Sequence, residues 1–167
     1  MNQTTAAADA TVRWLDEAEQ RTWRSFLDAS RVLFDALDRQ LQADAGMPHA
    51  YYEILVRLSE AEDRTMRMSE LADSLSSSRS RLSHAVARLE ERGWVRRQAD
   101  PADRRGQWAF LTDEGFAALA AAAPGHVSAV RENLLDPLGA DDVAALRRIS
   151  DAIRERAGVA PEPSPDE

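Results

Sequence analysis

The chain has 167 residues, 44% hydrophobic and 30% charged, a net charge of -8, three histidines and no cysteine. That size fits one domain with or without arms, and the absence of cysteine excludes disulfides, thiolate zinc sites and thiol redox switches. No apolar run nears the ~20 residues that span a bilayer, and the start MNQTTAAADATVRW lacks a basic-then-apolar leader, so no membrane association and a cytoplasmic location are expected.

Residues 11–43 place Trp14, Ala18, Phe26, Leu27, Leu33, Phe34, Leu37 and Leu41 at steps that suit one face of a long helix. Gly46-Met47-Pro48 stops it. Residues 49–61, with Tyr51, Ile54, Leu55 and Leu58, predict a short amphipathic helix. Ser69 is placed to cap a third helix, SELADSLS, with Leu71, Ala72 and Leu75 inward. Ser78 is placed to cap a fourth, because its hydroxyl can accept an orphan backbone N–H. Gly93 ends that helix at the position where a left-handed residue is needed.

After Gly93 the period changes. WVRRQA and QWAFLT read as two short strands, joined by DPADRRG, which is rich in turn formers and too charged to pack. Thr112 is placed to cap a helix running to about Leu135, with Asp113 and Glu114 in its first turn. Pro124 predicts a kink or break inside it. A last helix spans 141–157, and the acidic, Pro-rich tail over 158–167 is expected to be disordered.

This order predicts a mainly α fold with a small β-hairpin wing, a winged helix-turn-helix over 69–111. The flanking helices are too apolar on one face for that module to cover. They are expected to bury those faces against a second copy of the chain, as a homodimer. The expected division of the single chain is 11–47 as N-terminal dimerisation helix, 48–111 as DNA-binding lobe and 112–157 as C-terminal dimerisation helices.

The fourth helix carries the functional signal. With Leu82 inward, Ala85, Val86 and Leu89 share its buried face. The opposite face then presents Ser80, Arg81, His84, Ala87 and Arg88. Arginine can donate two hydrogen bonds to guanine, histidine one, and serine reaches a base or a phosphate. The net charge conceals the matching electrostatics. Between 79 and 105 eight arginines face four acids, a local +4 that leaves -12 on the rest. Ser78 and Arg79 open the helix, where free N–H groups attract phosphate. Arg104 and Arg105 sit at the wing tip, suited to a minor groove or to phosphates. Asp103 beside them is expected to hold a nearby arginine, Arg88 for example, and set the wing's angle.

The stretch MSELADSLSSSRSRLSHAVARLEERGWVRRQADPADRRGQWAFLTDEG closely resembles the winged-helix core of the multiple antibiotic resistance regulator (MarR) family. The carrying elements are LA..L at 71–75, RLEERGWV, DPADRR, and LTDEG at 111–115, and the resemblance extends over about 12–157. It implies a triangular homodimer on palindromic double-stranded DNA, usually a repressor. It also implies release by a small aromatic or phenolic effector bound between the dimer helices and the DNA-reading lobe. Carried over by position, the DNA-reading residues are Ser80, Arg81, Ser83, His84 and Arg88, with Arg104 and Arg105 in the wing. Trp14, Trp23, Phe26, His49, Tyr51 and Tyr52 fall where the effector cleft would be walled, and His126 could also orient a ligand. Two positions depart from the family pattern. Ser77 stands where an apolar residue usually buttresses the turn, and Arg79 where proline is common.

No cofactor and no metal site are expected, since the three histidines are widely spaced and form no HxxxH pair. GxSxG, Walker, HExxH and GxGxxG motifs are all missing, which points away from an enzyme. Two alternatives stay open: a winged-helix DNA-binding protein without a small-molecule effector, and a winged-helix protein-interaction module.

Overall fold

The structure is a computed structural model that describes residues 12–100, 103 and 106–158. Helix α1 (Glu17–Ala45) starts at a capping box: Asp16 accepts the Glu19 N–H at 2.8 Å and Glu19 accepts the Asp16 N–H at 2.9 Å. That cap places the start later than the apolar spacing predicts, and it leaves Trp14 ahead of the helix, 83% exposed. Gly46, at φ +60°, closes α1 in the left-handed region.

Helix α2 (His49–Glu60) follows Pro48 directly, and a 3-10 turn (Glu62–Arg64) leads into strand β1 (Thr65–Arg67). Then come α3 (Met68–Ser74), α4 (Arg79–Glu91), β2 (Val95–Ala99), β3 (Gln107–Leu111), α5 (Asp113–Val130), a π-helical turn (Arg131–Leu135) and α6 (Ala140–Arg156). The sheet is antiparallel in the order β1-β3-β2, with Met66 and Arg97 flanking Ala109. The expected two-stranded hairpin is thus one strand short. Three residues are too few to display a period of two, so β1 reads as loop in the sequence. Helix α3 begins one residue before Ser69, after Arg67, so Ser69 is not its cap.

Ser78 and Thr112 do cap as expected, accepting N–H groups from Arg81 at 3.3 Å and Gly115 at 3.0 Å. Gly93 takes φ +74° at the end of α4. Pro124 does not break α5. Both Pro124 and Ala120, whose carbonyl loses its usual donor, are exposed, so water can take that bond.

The core gathers Ile54, Leu55 and Leu58 of α2 against Leu71 and Ala72 of α3, and Leu82, Val86 and Leu89 of α4. Val95, Ala109 and Leu111 cover it from the sheet, while Leu41, Met47, Leu119 and Ala122 join it to α1 and α5. A Cβ at Gly115 would lie 2.1 Å from the Trp94 carbonyl oxygen. That carbonyl also accepts the Thr112 N–H at 3.1 Å, so glycine lets α5 start hard against the root of β2.

The two ends of the chain behave differently. Trp23, Phe26, Val32 and Phe34 on α1 are about half exposed or more, and none of the described residues of α6 is buried. Among the described residues no helix is long and apolar enough to cross a membrane.

Candidate nucleic-acid interface

Helix α4 is two-faced. Leu82, Val86 and Leu89 are fully buried, while Arg79, Ser80, Arg81, His84 and Arg88 are exposed on the other side. The Ser78 hydroxyl that caps the helix is held at its N-terminal edge, beside the backbone of Arg81. The short turn before it is strained at Ser76, whose φ of +48° is unusual for a residue with a side chain. This turn is built from serines where the family pattern has a bulkier buttress, and Ser77 closes it by donating its N–H to the Ala72 carbonyl at 2.9 Å.

Ser83 differs from its neighbours. It is half-buried, and its hydroxyl meets the Arg97 guanidinium at 3.5 Å. Arg97 in turn is clamped by Glu90, whose carboxylate accepts from Nε at 2.6 Å and from the backbone N–H at 2.8 Å. Strand β2 is an edge strand, so Glu90 satisfies an outward N–H and fixes the root of the β2–β3 hairpin to α4. Arg92 and Arg96 are likewise engaged. Arg92 donates to the Gly46 carbonyl at 3.0 Å and lies over Trp94, and Arg96 lies 4.4 Å over the Phe110 ring. These three arginines are tied into the fold, unlike Arg79 and Arg81.

Arg88 donates to Glu91 at 2.8 Å, one turn along its own helix. Asp103 is exposed, and its carbonyl accepts the Gly106 N–H at 2.8 Å to close the wing turn. Arg104 and Arg105 lie outside the described residues. The loop's charge does not keep all of it in water, as the sequence suggests. Asp100 is 7% exposed and ion-paired with Arg67, whose guanidinium also lies 5.0 Å over Trp108. Burial of an acid here is tolerated because the partner is present. That partner stands on β1, so the missed strand hid the missed pair. Between α4, the β1–α3 junction and the wing runs a cleft of about 420 Å³, bordered by Arg67, Ser69, Arg79, Ser83, Asp103 and Gly106.

The residues expected around an effector fall into separate groups. Trp14 is free of α1, and Trp23 and Phe26 stack on one another at 6.4 Å on the outer part of that helix. Tyr51 is half-buried, with Arg92 5.8 Å over its ring. Tyr52 is in the core, 8% exposed, and with His49 it adjoins His126 of α5. Within one chain these groups do not form a single cavity wall.

The MarR family model matches residues 45–106. The Streptomyces coelicolor MarR-family regulator Sco3205, solved in complex with DNA, is 51% identical, with a TM-score of 0.84 over 92% of this chain and 96% of that one. AbsC from the same organism is 41% identical, with a TM-score of 0.81 over 87% and 98% of the two chains. The Escherichia coli transcriptional regulator HosA is 42% identical over 72 residues, 43% of this chain and 53% of that protein. The chain thus spans about half the length of the first curated relatives it matches.

Proposed function

Because the chain belongs to the MarR family of transcriptional regulators, we propose that it acts in the cytoplasm as a homodimeric repressor on palindromic double-stranded DNA. The observation that carries this reading is the split of α4, apolar and sealed on one side, arginine, serine and histidine on the other. In this reading Ser80, Arg81, His84 and Arg88 enter a major groove, with Arg81 giving the bidentate contact. Ser78, Arg79, Arg104 and Arg105 hold phosphates or a minor groove, and Asp103 keeps the wing's shape. Ser83 contributes from the margin, since Arg97 already engages it.

The dimer is supported by the exposed apolar residues at both ends of the chain, Trp23 and Phe26 on α1 and Ile149 and Ile153 on α6. A two-fold pair would set two recognition helices about one DNA turn apart, ~34 Å. The same pairing would bring Trp14, Trp23 and Phe26 of one chain toward another, which is where a small aromatic or phenolic effector would bind. Such an effector lowers DNA affinity by as much as it prefers the DNA-incompetent spacing, and by no more. A regulator with no effector is the second reading, favoured by the separation of the aromatic groups within one chain.

Two measurements test this. Binding to a duplex selected from a random pool should be steeply salt-dependent. A thermal-shift screen with aromatic acids should raise the melting temperature, since a ligand that binds only the native state stabilises it. A flat screen over millimolar ligand selects the reading without an effector.

A further inference from the structure

His126 lies on α5, 9% exposed, and its Nδ1 finds no hydrogen-bond partner among the described residues. Its ring stands 5.5 Å from that of His49 and 4.3 Å from that of Tyr52, both on α2. Phe34 of α1 meets His49 edge-on at 5.8 Å. Three helices therefore converge on one imidazole pair. Tyr52 belongs to the core of the DNA-reading lobe, while α1 and α5 also carry exposed apolar residues, Phe26 and Val127 among them. The pair sits in the joint between the two parts.

The charges around it are asymmetric. On α2, Glu53 approaches Nδ1 of His49 at 3.5 Å. On α1, Asp38 accepts the His49 backbone N–H at 2.8 Å, and Asp44 accepts from Gln40 at 3.0 Å opposite Gly125. On α5, His126 is the titratable group that faces the joint. Burial, and next the neighbouring His49, push its pKa below the ordinary 6.5, with Glu53 opposing them less strongly.

We propose that the His49–His126 pair is a proton-operated joint: a proton taken up at His126 loosens the packing of α5 on α2 and thereby lowers DNA affinity. The proposal rests on the DNA-binding reading given above. A proton placed on His126 in the closed joint meets a second imidazole and the Tyr52 ring, with no acceptor at Nδ1 among the described residues and only the Glu53 carboxylate to offset the charge. An open joint lets water solvate it.

The sign follows from the depressed pKa. Neutral His126 supports the closed packing above its ordinary value of 6.5, and that support is lost as pH falls below 6.5 through the lowered value in the fold. Glu53, held below the usual carboxylate range by the hydrogen bond from His49, titrates only at more acidic pH.

The test uses the full chain and a duplex selected from a random pool at pH 8. Wild-type affinity should fall severalfold between pH 8 and 5.5, because the closed, DNA-competent protein holds His126 below its ordinary pKa. His126→Phe keeps the ring and removes the titration, so its affinity should hold steady or rise over the same range. Histidine NMR of the wild type gives a second readout that needs no variant. The His126 midpoint should lie below the ordinary 6.5 and should move lower still when duplex is added, by reciprocity. A pH profile shared by wild type and His126→Phe, or a His126 midpoint unmoved by DNA, overturns the proposal. Absence of binding to every duplex at pH 8 is a different failure, that of the DNA reading itself.

Discussion

The DNA-reading lobe and the chain's two arms spend the same kinds of residue differently. Between α2 and β3, leucines and valines at helical spacing meet one another, and Leu55, Leu58, Leu71, Val86 and Leu89 are completely sealed. On the outer part of α1 and on α6 the same spacing ends in solvent, with Phe26 at 49% and Ile153 at 52% exposure. Apolar periodicity states that a face wants burial. It does not state whether the covering surface belongs to the same chain. The lobe satisfies itself locally, and the arms carry a demand that a second copy would meet.

The largest effect should come from breaking the lobe. Leu89→Ala empties a fully buried site and should cost about 3 kcal/mol of stability, read by chemical denaturation. Gly115→Ala should cost a comparable amount, about 2–3 kcal/mol, because its Cβ would collide with the Trp94 carbonyl. Changes in the arms should leave the lobe folded and act on assembly. Ile149→Asp with Ile153→Asp should turn a sedimenting dimer into a monomer and weaken operator binding about a hundredfold through lost bivalency. A double variant that sediments and binds as before would show that α6 is not the dimer surface.

Smaller effects should separate the contacts within the lobe. Arg81→Ala should cost about 1–3 kcal/mol on the preferred duplex and relax preference at one position of each half-site, read by a substituted-duplex panel. Arg104→Ala should weaken all sequences alike and reduce the salt slope by about one. Equal effects of both changes on selected and random DNA would abolish the proposed division between base reading and phosphate holding.

What the sequence displays most clearly is what is local. Ser78, Gly93 and Thr112 mark their helix ends because a cap acts within three or four residues. The buried stripe of α4 is legible for the same reason. The pairs that cross the fold are not. Arg67 reaches Asp100 only because β1 lies beside β3, and three residues of strand carry no pattern. Ser83 reads as a groove contact from its place on the helix, yet its side chain lies between the two faces, where Arg97 of β2 meets it. His126 shows only its identity in the sequence. Its meeting with His49 and Tyr52 depends on how α5 crosses α2, which no local period encodes.

The exposed face of α4 carries the proposed DNA contacts, and equilibrium binding measures them. The purified chain would be titrated with its selected duplex and with random competitor, at about 50 and 200 mM salt. Binding should be tight and selective, and its affinity should fall by about a thousandfold or more between the two conditions, as expected for six or more phosphate contacts. Indistinguishable affinities for the two DNAs, or no binding at the lower salt, would contradict it and give the arginines of α4 a partner other than DNA.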